Sequence, residues 1–172
     1  MTTRQDIPRL SLFPLTAEVN RQGHLVIGGC DCVDLVEEFG TPLYVFDEYT
    51  LRSKCAEFKK EFGSRYADTV ILYAGKAFMN RALVNMFKEE GLGLDVVSKG
   101  EMYIAHSVDF PMVKVYFHGN NKSTEELNQA LEWKVGKIVV DNFHELEMLS
   151  ALAREKGVRQ DILLRLTPGV DP

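Results

Sequence analysis

From residue 43 onward the chain alternates short apolar runs with longer stretches in which apolar residues return every three or four positions. That alternation is the pattern of strands joined by crossover helices in a parallel sheet. LYVF (43–46) opens the series as a short strand, and residues 48–62 follow as a helix with Leu51, Cys55, Phe58 and Phe62 along one face. VILYA (70–74) is apolar throughout, as expected of a strand buried on both faces. Its helix runs over 80–90 and stops at Gly91, a residue suited to the left-handed terminator position. LGLDVV (92–97), VKVYFH (113–118), KIVV (137–140) and DILLRL (161–166) supply four further strands, with helices starting near Lys99, Thr124 and Phe143.

Several helix starts carry their own punctuation. Ser98 with Glu101, and Ser123 with Glu126, have the S-x-x-E spacing in which hydroxyl and carboxylate reciprocally satisfy free backbone donors. Asn142 with Glu145 is a weaker version of the same signal.

Leaving LYVF aside, the pattern predicts five strands, each but the last followed by a helix, with no reversal. An α/β fold of this kind suits the first part of an eight-stranded (β/α)8 barrel of the TIM type better than an open sheet. Five strands of such a barrel would leave two apolar edges unpaired, so the expectation is a truncated chain or strands supplied from elsewhere. Residues 1–42 do not join the alternation. There Leu25, Val26 and Ile27, between Gly23 and the Gly28-Gly29 pair, read as a strand that joins another module. The expected division is therefore an N-terminal segment, 1–42, and the first part of a barrel, 43–172.

Composition narrows the partners. With 45% hydrophobic and 26% charged residues the chain has the balance of a soluble globular protein with material for a core. A formal charge of −5 argues against nucleic acid or an anionic membrane surface, which reward a basic patch with counterion release. A small molecule is the expected partner. The first twenty residues hold neither a sustained apolar stretch nor a small-residue cleavage pattern, so a cytoplasmic location is expected. Three cysteines, Cys30, Cys32 and Cys55, are too few for a disulfide framework. Cys30-Asp-Cys32 could be half a metal site, but no second cluster stands at ligand spacing and no metal is expected.

In a parallel barrel the chemistry sits at the C-terminal ends of the strands. That rule singles out Lys76, Asp95, His118, Asp141 and Arg165. Lys76, in YAGKA, follows a run expected to be buried, and desolvation there would favour a neutral, nucleophilic amine. Taken alone, a strand-end lysine is more often a solvated boundary residue. GK at 75 and 76 is no phosphate loop, since the earlier glycine is missing and Ala77 replaces the metal-binding hydroxyl. Asp95 either sets the charge environment of a nearby lysine or accepts strand-end hydrogen bonds. Arg165, within ILLRL, requires an anionic or polar partner, of which a cofactor oxygen is one. His118, in FHGNNKS, reads more readily as a satisfied structural histidine than as a triad member or metal ligand.

Six blocks together resemble a known family. GTPLYVFDEYTLR (40–52), YAGKA (73–77), GLGLDVVSKGE (91–101), HGNNKS (118–123), VVDNFHELE (139–147) and LRLTPGVDP (164–172) are similar, in order and rough spacing, to the diaminopimelate decarboxylases. The resemblance runs from about residue 20 to the end. It implies a pyridoxal 5'-phosphate enzyme with a barrel followed by a β-rich domain, to which the strand at 25–27 would belong, and a homodimer with sites at the interface. Lys76 matches the lysine that carries the cofactor, and Asp95 and Arg165 match positions near it; His118 is grouped with them as cofactor-binding. The implied activity of the complete enzyme is decarboxylation of meso-diaminopimelate to L-lysine, with the 172 residues alone expected to be inactive. Barrel decarboxylases of arginine, ornithine or carboxynorspermidine, and a more distant racemase-like enzyme, are the neighbouring alternatives. A non-catalytic pyridoxal-phosphate-binding barrel is the alternative of a different class. The chain departs from the family pattern at Phe78, where asparagine is usual, and at Lys99, where glycine is common.

Overall fold

A computed structural model of the chain describes residues 12–166, 168 and 169. The chain divides into two compact units, Met1–Ala67 and Asp68–Pro172.

The first unit contains a three-stranded antiparallel sheet of β1 (Glu18–Val19), β2 (Leu25–Ile27) and β3 (Cys30–Asp31), in that order. Ile27 faces Cys30 across a two-residue turn, so Gly28 and Gly29 must both take positive φ, at 60° and 81°. Glycine adopts that pair of conformations without strain, which is why GG closes this hairpin. The strand expected at 25–27 is thus present and is paired with its own sequence neighbours. Asp31 ends the sheet and starts α1 (Cys32–Phe39), accepting from Val33 N. Its other oxygen lies 2.9 Å from His24 Nδ1 and 2.6 Å from Asn20 Nδ2.

Helix α2 (Glu48–Gly63) is capped by Asp47, whose carboxylate accepts from Thr50 N. The apolar face read from the sequence is only partly buried: Cys55 is enclosed, while Phe58 and Phe62 stack on each other with more than half of each surface exposed. Residues 43–46 belong to neither sheet, contrary to the strand expected there. Apolar composition favours extended backbone, but a strand also needs a neighbour to complete its ladder, and no described strand borders these residues.

The second unit is a sheet of five parallel strands in sequential order: β4 (Leu72–Ala74), β5 (Gly93–Val96), β6 (Val115–Phe117), β7 (Lys137–Val140) and β8 (Ile162–Leu164). The connections are α3 (Arg81–Glu89), α4 (Lys99–His106), α5 (Thr124–Glu132) and α6 (Phe143–Glu155), each helix packed beside the next. Sequential parallel order is what separates a barrel wall from a doubly wound sheet, whose strand order reverses at a switch point. The core lies between the central strands and this helix layer. Leu94, Val96, Val115, Phe117 and Ile138 are fully enclosed, together with Val84, Met102 and Leu127 from the helices.

Position in the sheet decides burial. Strands β5 and β6 are nearly sealed, whereas β4 is half-buried and Leu163 and Leu164 of β8 are exposed. The expectation that 70–74 would be buried on both faces fails for this reason: β4 is an edge strand here, and Val70 lies before its ladder begins. Close backbone approach fixes one residue ahead of β7. A Cβ on Gly136 would stand 2.0 Å from the carbonyl oxygen of Val113, so no larger residue fits.

The capping signals separate on inspection. Ser123 and Glu126 form the complete reciprocal box at α5. At α4 and α6 the caps Ser98 and Asn142 accept from Glu101 N and Glu145 N, but the glutamates reach one residue further back, to Val97 N and Asp141 N. Their carboxylates therefore tie the end of the preceding strand to the helix.

Candidate functional site at the strand ends

Lys76 lies in a single 3-10 turn, Gly75–Ala77, directly after β4. The turn is held tightly. Tyr73, stacked on Phe87 with ring centroids 4.0 Å apart, donates its hydroxyl to the Phe78 carbonyl at 2.7 Å. A Cβ on Gly75 would meet Glu101 Oε2 at 2.9 Å, Met79 Sδ at 3.0 Å and the Asp95 carbonyl oxygen at 3.2 Å. Gly75 is buried and Lys76 is exposed, which corrects the expectation that strand burial would desolvate the lysine. The lysine is accessible to a carbonyl compound, and its backbone lies in a turn fixed just past the end of β4.

Asp95, on β5 beside Ala74, is the unusual group. Its Oδ1 is buried and has no hydrogen-bond partner among the described residues; His118 Nδ1 stands 3.8 Å away, beyond bonding range. Burial pushes the carboxyl above the usual carboxylate range, and the charges of His118 and Lys76 offset this only in part. His118 follows β6 directly, its backbone N–H bonded to Val96 O at 2.7 Å. Its ring is part-exposed and directed to Asp95, which departs from the reading of a satisfied structural histidine.

Arg165 stands next after β8 rather than inside it, and is half exposed instead of sealed in a strand interior. Its Nη1 donates to Asn120 Oδ1 at 2.6 Å and to Asp141 Oδ1 at 3.1 Å. The requirement for polar partners is thus met by the protein. Among the described residues Nε and Nη2 engage no acceptor, so the guanidinium keeps donors for an anionic group. A shallow depression beside it, lined by Phe143, Leu146 and Leu164, is predominantly apolar.

Strand order therefore gathers Lys76, Asp95 and His118 at or just past the C-terminal ends of three neighbouring strands, while Arg165 and Asp141 gather at the ends of β7 and β8. Two features are not read from the sequence. Asn120 is visible in HGNNKS, and its place just past a strand end is the signal for it. The buried pair of Lys122 and Glu145, with Nζ to Oε1 at 2.8 Å, carries no such signal. The described residues contain no group of three or more His, Cys, Asp or Glu able to hold a metal. None of their helices is long and apolar enough to cross a membrane. Thr167 and residues 170–172, in the last of the family-like blocks, lie outside the described residues.

Fold and site together define a parallel α/β-barrel protein with a lysine and a partly buried carboxylate at the C-terminal mouth. Residues 48–172 match the family model described as "Pyridoxal-dependent decarboxylase, pyridoxal binding domain", and the chain belongs to this family of amino-acid decarboxylases. It is 49% identical over 159 residues to the diaminopimelate decarboxylase of Bacillus methanolicus, covering 92% of this chain and 37% of that protein. The Bacillus subtilis enzyme of the same name is 49% identical over 156 residues, covering 91% and 36%. Among solved structures, diaminopimelate decarboxylase from M. jannaschii in complex with L-lysine superposes with a TM-score of 0.82 at 34% identity, covering 92% of this chain and 37% of that one. The chain thus spans little more than a third of the length of these relatives.

Proposed function

We propose that the protein carrying this chain decarboxylates meso-diaminopimelate to L-lysine, using pyridoxal 5'-phosphate held by Lys76. The observation that carries the proposal is the convergence of an accessible strand-end lysine with a buried, unpartnered carboxylate oxygen on the adjacent strand. The similarity to diaminopimelate decarboxylases over nearly the whole chain supports the choice of substrate.

The residues present fit the cofactor. Lys76 offers a primary amine to its aldehyde carbon, Asp95 Oδ1 offers an acceptor to a protonated or cationic group, and the unused donors of Arg165 suit an anionic oxygen. Once bound, the cofactor supplies an electron sink for the electron pair left behind as carbon dioxide departs. The chain's own contribution is placement. Lys76 Nζ, accessible just past β4, would hold the cofactor through its primary amine. Asp95 attracts whichever nitrogen near Lys76 is cationic, holding it against the strand ends. His118 stands 3.8 Å from the same carboxylate oxygen, close enough to bear on its charge without a hydrogen bond.

The same proposal takes the enzyme to be a cytoplasmic homodimer, with residues 1–42 contributing to a β-rich domain; the support for this is the family resemblance. In the test, the full-length protein is supplied separately with meso-diaminopimelate, ornithine and arginine, and carbon dioxide and amine products are measured. Release of L-lysine from meso-diaminopimelate alone is expected. Lys76→Ala should lose both turnover and cofactor retained through gel filtration, and retention of either at the wild-type level overturns the assignment.

A further inference from the structure

We propose that the buried Lys122–Glu145 pair is a positioning device that sets the two acceptors holding Arg165. Lys122 is the one lysine enclosed among the described residues: its side chain is 1% exposed and that of Glu145 is 4% exposed. All three ammonium protons are used, on Gly119 O at 2.8 Å, Val139 O at 2.7 Å and Glu145 Oε1 at 2.8 Å. The other carboxylate oxygen of Glu145 accepts from Asp141 N at 3.3 Å. One nitrogen thus grips the loop after β6, the strand β7 and the first turn of α6.

The loop after β6 and the residue just past β7, the latter held through Glu145, carry the two side chains that hold Arg165. Gly119 immediately precedes Asn120, and Asp141 is the residue whose N–H Glu145 takes; Asn120 and Asp141 are the acceptors of Arg165 Nη1. Gly119 is itself confined, with φ at 111°, and a Cβ there would stand only 3.1 Å from Val97 O. A shift of Lys122 therefore reaches Arg165 by two separate routes.

The chain contains its own control for the simpler idea that the pair only closes a helix. At α4 the cap Ser98 and the glutamate Glu101 repeat the α6 arrangement, including the backward bond from glutamate to the residue before the cap, and no lysine is buried there. Capping does not require the ammonium. Burial of an ion pair is poor evidence for stability, because desolvation offsets most of the attraction, but it fixes geometry when every donor is satisfied.

The consequence for catalysis rests on the function proposed above; the positioning itself does not, and it is read without turnover. In full-length protein labelled at arginine, the Arg165 guanidinium is followed by NMR, assigned through Arg165→Lys. Two variants are compared with wild type. Glu145→Gln keeps the volume but has one carbonyl oxygen for two donors, and Lys122→Met with Glu145→Leu replaces the pair by apolar side chains. Thermal melts establish that each is folded. The expected result is restricted guanidinium rotation in wild type, with separate Nη signals, and loss of that separation in both folded variants. Separate signals surviving in either folded variant overturn the proposal. Failure of Glu145→Gln to fold also overturns it, since the pair would then be a requirement of the fold itself. Loss of Arg165 ordering in an enzyme that does not decarboxylate diaminopimelate would uphold the positioning role and refute only the substrate.

Discussion

At Asp95 an acceptor oxygen is buried without a partner among the described residues, on a strand whose other residues are all buried. An unsatisfied buried group costs roughly 1–3 kcal/mol, so the fold is less stable for keeping it. Burial raises the carboxyl's pKa in the folded state, so the native protein holds this proton more tightly than the unfolded chain does. Its stabilising contribution is complete at acid pH and is lost as the pH rises through the raised value. Asp95→Asn should therefore be more stable than wild type by about 1 kcal/mol at neutral pH, with the gap closing toward acid pH. Urea melts across that range check it, and a variant less stable than wild type at neutral pH would contradict it. Lys76, Asp95 and His118 could be picked out as candidates because each stands at or near the end of an apolar run, and that rule needs only strand boundaries. Exposure was not legible: Lys76 lies open because its turn leaves the strand direction, a fact of backbone path that apolar composition does not encode.

Elements whose signal is local came through with their boundaries nearly intact. Helices α4, α5 and α6 begin at Lys99, Thr124 and Phe143, where a capping side chain precedes each, and β7 spans KIVV as read. What failed depended on neighbours. Residues 43–46 have strand composition without a described strand beside them, and β4 has core composition at a sheet edge. The caps show the same division, since Ser-x-x-Glu locates a helix start but not which N–H the glutamate takes. Only at α5, among the described helices, do both halves of the reciprocal box close. Ser123→Ala should accordingly cost about 1 kcal/mol, near the middle of the range for caps, because it strips Glu126 N of its acceptor. Denaturant midpoints with an unchanged slope would report it, and a loss under a few tenths of a kcal/mol would show that Glu126 suffices alone.

Taken as a whole, the second unit presents two sheet edges, β4 and β8, and the second is apolar: Leu164 is 60% exposed and Leu166 82%. Such an edge is a template for pairing with another chain. The 172 residues expressed by themselves should associate with increasing concentration, and Leu164→Lys should reduce that association several-fold in light scattering. A monodisperse monomer at high concentration would refute the edge argument. The order of the strands has a further effect. Leu72 pairs with Gly93, Leu94 with Val115 and Tyr116 with Lys137, so each ladder joins residues roughly twenty positions apart, a short loop to close for a parallel sheet. Each strand after β4 thus finds a partner already synthesised as it emerges from the ribosome. The wall is suited to growth from its N-terminal side, one strand and helix at a time, with the outer edge of β4 open throughout and each newest edge receiving the next strand.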